Sequence, residues 1–288
     1  MRFDASCLPC LMHQVVKVAE LSGEKENETL YRKVFEHLAE GRLFRTAPEL
    51  FGETVALIAE ETGCKDPYRE TRSHFNRIFL QLLPKFDAAI SAAADPFAQA
   101  VRYAIMGNII DFGQVHAFDS DDVLRFFHEA DAREYAIDEV ESLRTALKGA
   151  GRVLYLGDNC GEICLDKLLL KQIRLLAPQA KLTFGVRGAP IINDSIEEDA
   201  RFVGIDEYAE IISNGSICCG TILPRTSEAF RAAYQAADVV ISKGQGNYES
   251  LNDERGKEIY FLLMAKCAVI AQKIGVPVNS QLCMKSCG

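Results

Sequence analysis

A chain of 288 residues with 48% hydrophobic residues can bury a sizeable core and has room for two lobes. Its formal net charge of -9 excludes a generally basic surface, and with it non-specific nucleic-acid binding or attachment to an anionic membrane. No apolar run approaches the roughly 20 residues of a membrane span, and no basic segment followed by an apolar block is found at the N-terminus, so a cytoplasmic protein is expected.

Taken in chain order, Leu8, Leu11, Val15, Val18 and Leu21 recur at spacings of three and four and predict a helix that stops at Gly23. Comparable patterns predict helices over 29–39, 50–61, 71–82 and 96–110, with one or two more in 122–148. Pro48, Pro67, Pro84 and Pro96 fall where a helix would begin or could not continue. No comparable strand signal precedes Arg152. Beyond it, β-rich runs at 153–156, 182–186, 210–212, 239–242 and 268–270 alternate with helical periodicity, the order of parallel βαβ units. The expected fold class is α/β. A helical N-terminal lobe, residues 1–150, precedes a Rossmann-like doubly wound, mostly parallel sheet, residues 151–288, with the later helices of the first free to pack on the second.

Open α/β sheets bind ligands outside the carboxyl ends of their strands, so the residues at those ends are the candidates for chemistry. The first strand runs into Asp158 and Asn159, two hard oxygen ligands suited to Mg²⁺ or Mn²⁺, with Co²⁺ or Ni²⁺ as competitors for the same donors. After the fourth strand, Lys243 offers a point charge for a phosphate, and Gly244 and Gly246 let backbone N–H groups approach an anion. Arg187, following the second strand, is a further candidate phosphate ligand. Each also has a plain structural reading: Asp158 with Asn159 as an N-cap and turn, Asp194 as a helix cap, Lys243 as a solvated side chain.

The strings Gly157-Asp-Asn-Cys-Gly-Glu162, Ile192-Asn-Asp194 and Lys243-Gly-Gln-Gly-Asn-Tyr-Glu249 resemble those of the damage-control phosphatases, a group once catalogued only as a domain of unknown function. Gly107-Asn-Ile-Ile-Asp-Phe-Gly113 and Cys7-Leu-Pro-Cys10 are similar to its compact prokaryotic branch. The resemblance implies metal-dependent hydrolysis of phosphate monoesters of small metabolites, such as sugar phosphates or damaged phosphometabolites. It implies Asp158, Asn159 and Asp194 as metal ligands, Lys243 as the phosphate cation, and Asn108 and Asp111 lining the cleft. With Asp158 and Asp194 as the catalytic carboxylates, either Asp158 or a water molecule could be the nucleophile.

Ten cysteines in such a chain are expected to be reduced, metal-bound or buried. If the termini met, Cys7, Cys10, Cys283 and Cys287 could hold a structural Zn²⁺, and Cys7 and Cys10 alone could form a redox pair. Two rival functions follow from other features. An S-adenosylmethionine-dependent methyltransferase would use the first Gly-containing turn, although Gly157-Asp-Asn-Cys-Gly161 lacks the open Gly-x-Gly spacing. A non-enzymatic metal- or thiol-binding protein would use the terminal cysteines. The partner expected of the phosphatase is a small phosphorylated metabolite; oligomeric state is not legible.

Overall fold

The computed structural model describes residues 1–40, 46–107, 123, 125, 127 and 134–286. Helix α1 (Leu8–Leu21) buries Leu11, Val15 and Val18, the stripe expected from their spacing. Gly23 just beyond it takes φ of 77°, a left-handed turn that glycine adopts without steric cost. Helices α2 (Glu28–Glu40) and α3 (Ala47–Thr62) pack with α1 around Leu30, Val34 and Ile58. A capping box between Thr46 and Glu49 starts α3.

Helix α4 (Arg69–Ala92) continues through Pro84, where the sequence predicts an interruption. An internal proline costs about 3 kcal/mol in lost hydrogen bonding and steric conflict. Burial of Leu82, Phe86 and Ile90 around it offsets that cost. Helix α5 (Pro96–Gly107) is buried along most of its length.

The remaining elements are β1 (Ile137–Asp138), α6 (Val140–Gly149), β2 (Arg152–Leu156), α7 (Glu162–Leu176), β3 (Lys181–Val186), α8 (Glu197–Phe202), β4 (Glu210–Ser213), α9 (Glu228–Ala236), β5 (Val239–Lys243), α10 (Gly244–Leu251), β6 (Ile259–Met264), α11 (Ala268–Ile274) and β7 (Gln281–Lys285). They form a seven-stranded sheet in the order β1-β7-β6-β5-β2-β3-β4. All neighbours are parallel except β6 and β7. The α/β class and the mostly parallel sheet are as the sequence predicts.

Three strand assignments differ from the sequence reading. Residues 268–270 open α11, and the strand is Ile259–Met264, buried at every position. A strand covered on both faces loses its alternation and cannot be told from a buried helix by periodicity. Strand β1 precedes Arg152 but is only two residues long, and β7 carries polar ends that hide it.

One core runs from α4 and α5 through α7 to β2, β3, β5 and β6, so the helical segment and the sheet share a single apolar interior. Rings of Phe86 and Phe127, with centroids 4.8 Å apart, lie within it. A second cluster covers the opposite face with α9, α10 and α11. The chain leaves β2 for β3 and β4 on one side and returns to β5 on the other. That reversal opens a crevice at the carboxyl ends of β2 and β5, where ligands bind in sheets of this type.

Candidate active site

Beyond β2 the chain turns at Gly157, where a Cβ would lie 2.5 Å from Phe184 Cζ. Only glycine permits this passage, and it delivers Asp158 and Asn159 to the wall of a cavity of about 220 Å³. The loop after β3 brings Ile192 and Asp194 to the same cavity. Backbone bonds lock the two segments together: Ser195 N–H donates to Asp158 O at 2.8 Å, and Cys160 N–H donates to Asn193 O at 2.9 Å. Gln14 of α1 and Phe51 of α3 face the cavity from the helical side, and Glu249 of α10 and Lys266 complete it.

Two side chains hold the donors in place from behind. Arg187 Nε donates to Asp194 Oδ1 at 2.6 Å, its Nη2 to Asp158 Oδ1 at 3.2 Å and its Nη1 to Asn247 Oδ1 at 3.2 Å. The guanidinium is wholly buried, so the candidate phosphate ligand of the sequence reading is instead a clamp between two acids. Asn159 Nδ2 donates to Asp158 Oδ2 at 3.0 Å and Glu162 Oε2 at 3.1 Å. With its nitrogen committed, Asn159 leaves Oδ1 without a donor among the described residues, as is Asp194 Oδ2.

Burial pushes the Asp158 carboxyl up to about 8; Glu162 and Asp194 add to the rise, while Arg187 and Lys266 oppose it. Burial also raises Asp194, with Arg187 working against it. Carboxylates crowded in this way favour a cation beside them. Among the described residues no group of three His, Cys, Asp or Glu side chains is arranged to hold a metal. The cavity wall carries the carboxylates of Asp158 and Asp194 and the amide of Asn159, and hard oxygens of this kind are of the type that suits Mg²⁺ or Mn²⁺.

Lys243 lies elsewhere than the sequence reading expects. It is wholly buried, and its Nζ donates to Glu162 Oε1 at 2.8 Å and Asp166 Oδ1 at 2.6 Å. Burial works against its charge, but Asp166 and Glu162 outweigh that and hold the ammonium above its ordinary range. Asp166 also accepts from the Tyr155 hydroxyl at 2.7 Å. Thus Lys243 supports Glu162, which in turn holds Asn159. The cation that does line the cavity is Lys266, half-buried beyond β6, with no hydrogen bond or ion pair from its Nζ to a described residue. Recognising Ile259–Met264 as a strand would have pointed to it.

Gly244 opens α10 with φ of 76°, and Gly246 touches the 219 loop so closely that a Cβ would lie 1.8 Å from Cys219 O. From the helical side, Asn76 Oδ1 accepts from Gly161 N–H at 2.7 Å, a contribution that no motif signalled. Asn108 and Asp111 lie outside the described residues, as does Cys287. The other terminal cysteines are not brought together. Cys283 is buried in β7, its thiol pushed up to about 12 by burial with Asp138 adding, whereas Cys7 lies beside Glu249 and Cys267.

Burial pushes Glu249 up to about 7 from 4.5, against the pull of the amino terminus. A carboxyl raised in the fold contributes stability below its unfolded value and loses it as pH rises through the folded one. Glu249→Gln is therefore expected to gain stability over the parent between pH 5 and pH 8, by up to about 3 kcal/mol. Urea unfolding at both pH values checks this; an equal difference at the two would contradict it.

The model for the damage-control phosphatase ARMT1-like domain matches residues 3–282. A damage-control phosphatase of Archaeoglobus fulgidus is 33% identical over 287 residues, covering 98% of each chain. A damage-control phosphatase of Pyrococcus horikoshii is 28% identical over 99% of each. The crystal structure of a DUF89 family protein from Pyrococcus horikoshii covers 100% of both chains with a TM-score of 0.88 and 28% identity.

Proposed function

The chain belongs to the damage-control phosphatase ARMT1-like family, and on that premise we propose that it hydrolyses phosphate monoesters of small metabolites with the help of a divalent cation. Asp158, Asn159 Oδ1 and Asp194 Oδ2 would hold the cation. The observation that carries this reading is that Asn159 and Asp194 both line the cavity, each keeping one oxygen with no donor among the described residues, beside a crowded Asp158. A bound Mg²⁺ or Mn²⁺ supplies Lewis-acid neutralisation of phosphoryl charge.

The protein's own residues then do the following. Lys266 binds the phosphoryl oxygens as a point charge, which an otherwise acidic cavity needs before a dianion can enter. Arg187 keeps Asp158 and Asp194 at fixed separation, so that neither must reorganise when phosphate charge develops. Water is taken as the nucleophile, with Asp158 held by Arg187 and Asn159 in the position of a cation ligand. Its oxygen bonds to phosphorus as the ester P–O bond breaks with its electron pair going to the leaving oxygen, its proton passes to a carboxylate, and the leaving oxygen takes a proton from water so that the alcohol departs.

The test is turnover of p-nitrophenyl phosphate by protein stripped of metal and then titrated with Mg²⁺, Mn²⁺, Co²⁺ or Ni²⁺. Turnover that requires an added ion is the expected result. Folded protein with no turnover under any of the four overturns the reading.

A further inference from the structure

Helix α10 presents Gln245 and Glu249 to the cavity one turn apart, and their situations differ. Gln245 is fully engaged: its Oε1 accepts from Lys266 N–H at 2.6 Å and its Nε2 donates to Cys267 Sγ at 3.8 Å. The Glu249 carboxyl accepts no hydrogen bond from a described residue. The Met1 amino group, which could have taken it, donates to the Glu249 carbonyl oxygen at 2.7 Å and pairs with Asp253 at 3.3 Å.

Lys266 and Glu249 line the same cavity without forming an ion pair with each other, and Lys266 acts on Asp158. Phosphate held by Lys266 and the Asp158 group therefore directs the ester's alcohol towards the remaining wall. That wall holds Glu249, the apolar Phe51, and Gln14, whose Oε1 is taken by the Tyr68 hydroxyl at 3.1 Å. A cavity of about 220 Å³ gives a small alcohol little room to avoid the carboxylate.

We propose that Glu249 sets the charge selectivity of the enzyme: monoesters of uncharged or cationic alcohols are accepted, and those whose alcohol bears a further carboxylate or phosphate are rejected. This rests on the phosphatase reading and narrows its substrate class. The physical basis is like-charge repulsion in a partly desolvated site, which discriminates against the wrong partner more than it strengthens the right one. A hydroxyl or ammonium donor instead meets a carboxylate able to accept it.

The probes are glycerol 3-phosphate and 3-phosphoglycerate, which share three carbons and a phosphate and differ by a hydroxymethyl against a carboxylate. Each is used at pH 8, above the range of Glu249, as a competitor of p-nitrophenyl phosphate hydrolysis. The parent is expected to bind the neutral ester more tightly by about tenfold or more, the scale of one like-charge contact in such a site. Glu249→Gln should collapse that ratio towards one by improving the inhibition constant of 3-phosphoglycerate, and Glu249→Asp should keep the preference. A ratio unchanged in Glu249→Gln, a parent without preference, or a parent that neither ester inhibits overturns the proposal. Turnover of p-nitrophenyl phosphate by the parent judges the phosphatase reading separately; if it fails under every metal, both fall.

Discussion

Asp158→Ala is expected to lower metal-stimulated turnover of p-nitrophenyl phosphate by about 10³-fold or more, the scale for removing a central group of a preorganised site. Asp158 is the residue on which the candidate site converges: one oxygen takes Arg187, the other takes Asn159, and its backbone carbonyl ties down the loop that carries Asp194. The fold should survive, because Arg187 keeps Asp194 and Asn247 and the backbone bonds between the two loops are untouched. Calorimetric titration with Mn²⁺ should show a parallel loss of affinity. A variant that stays folded and keeps metal-dependent turnover would remove Asp158 from the site.

The second large effect separates two lysines. In Lys243→Met, Glu162 and Asp166, both wholly buried, lose the ammonium that each of them pairs with. Removing one partner of a buried ion pair costs about 3–5 kcal/mol. The loss should be smaller at pH 5 than at pH 8. Burial already raises Asp166 to about 6, with Lys243 opposing, so acid protonates it and removes the unpaired charge. Lys266→Met should instead leave stability within about 0.5 kcal/mol, as for other incompletely buried sites without structural bonds. Its kcat/KM should fall by about 100-fold, as when one stabilising donor is removed. Urea unfolding and steady-state kinetics on both variants distinguish these roles. A stable Lys243→Met with weakened phosphate binding, beside a fully active Lys266→Met, would exchange them.

That contrast marks the boundary of what the sequence makes legible. The strand before Asp158 is announced by a short apolar run and a Gly turn, and a parallel sheet necessarily carries its ends to one edge, so Asp158, Asn159 and Asp194 could be grouped before any coordinates. The depth of a side chain at that edge is a different matter. Lys243 closes β5 and Lys266 follows β6, yet the first points beneath the turn towards α7 and the second lines the cavity, with Gly244 in a left-handed conformation starting a helix immediately after Lys243. Arg187 was misread for the same reason: position after a strand does not say whether three acceptors already surround the guanidinium. The contribution of Asn76, distant in sequence and carried on a helix, has no local signal at all.

The reversal of the chain between β2 and β5 also shapes when the protein becomes competent. Arg152 and Asp238, joined at 2.8 Å beside the start of these strands, are 86 residues apart in sequence. A pairing of that span closes late, after the entropy of a long loop has been overcome. The β2–β3–β4 side can assemble earlier, but it presents Asp158 without Lys266 and without the helix that bears Glu249. Recovery of catalysis during refolding is therefore expected to lag behind recovery of helical signal, making turnover a clock for the last step of assembly.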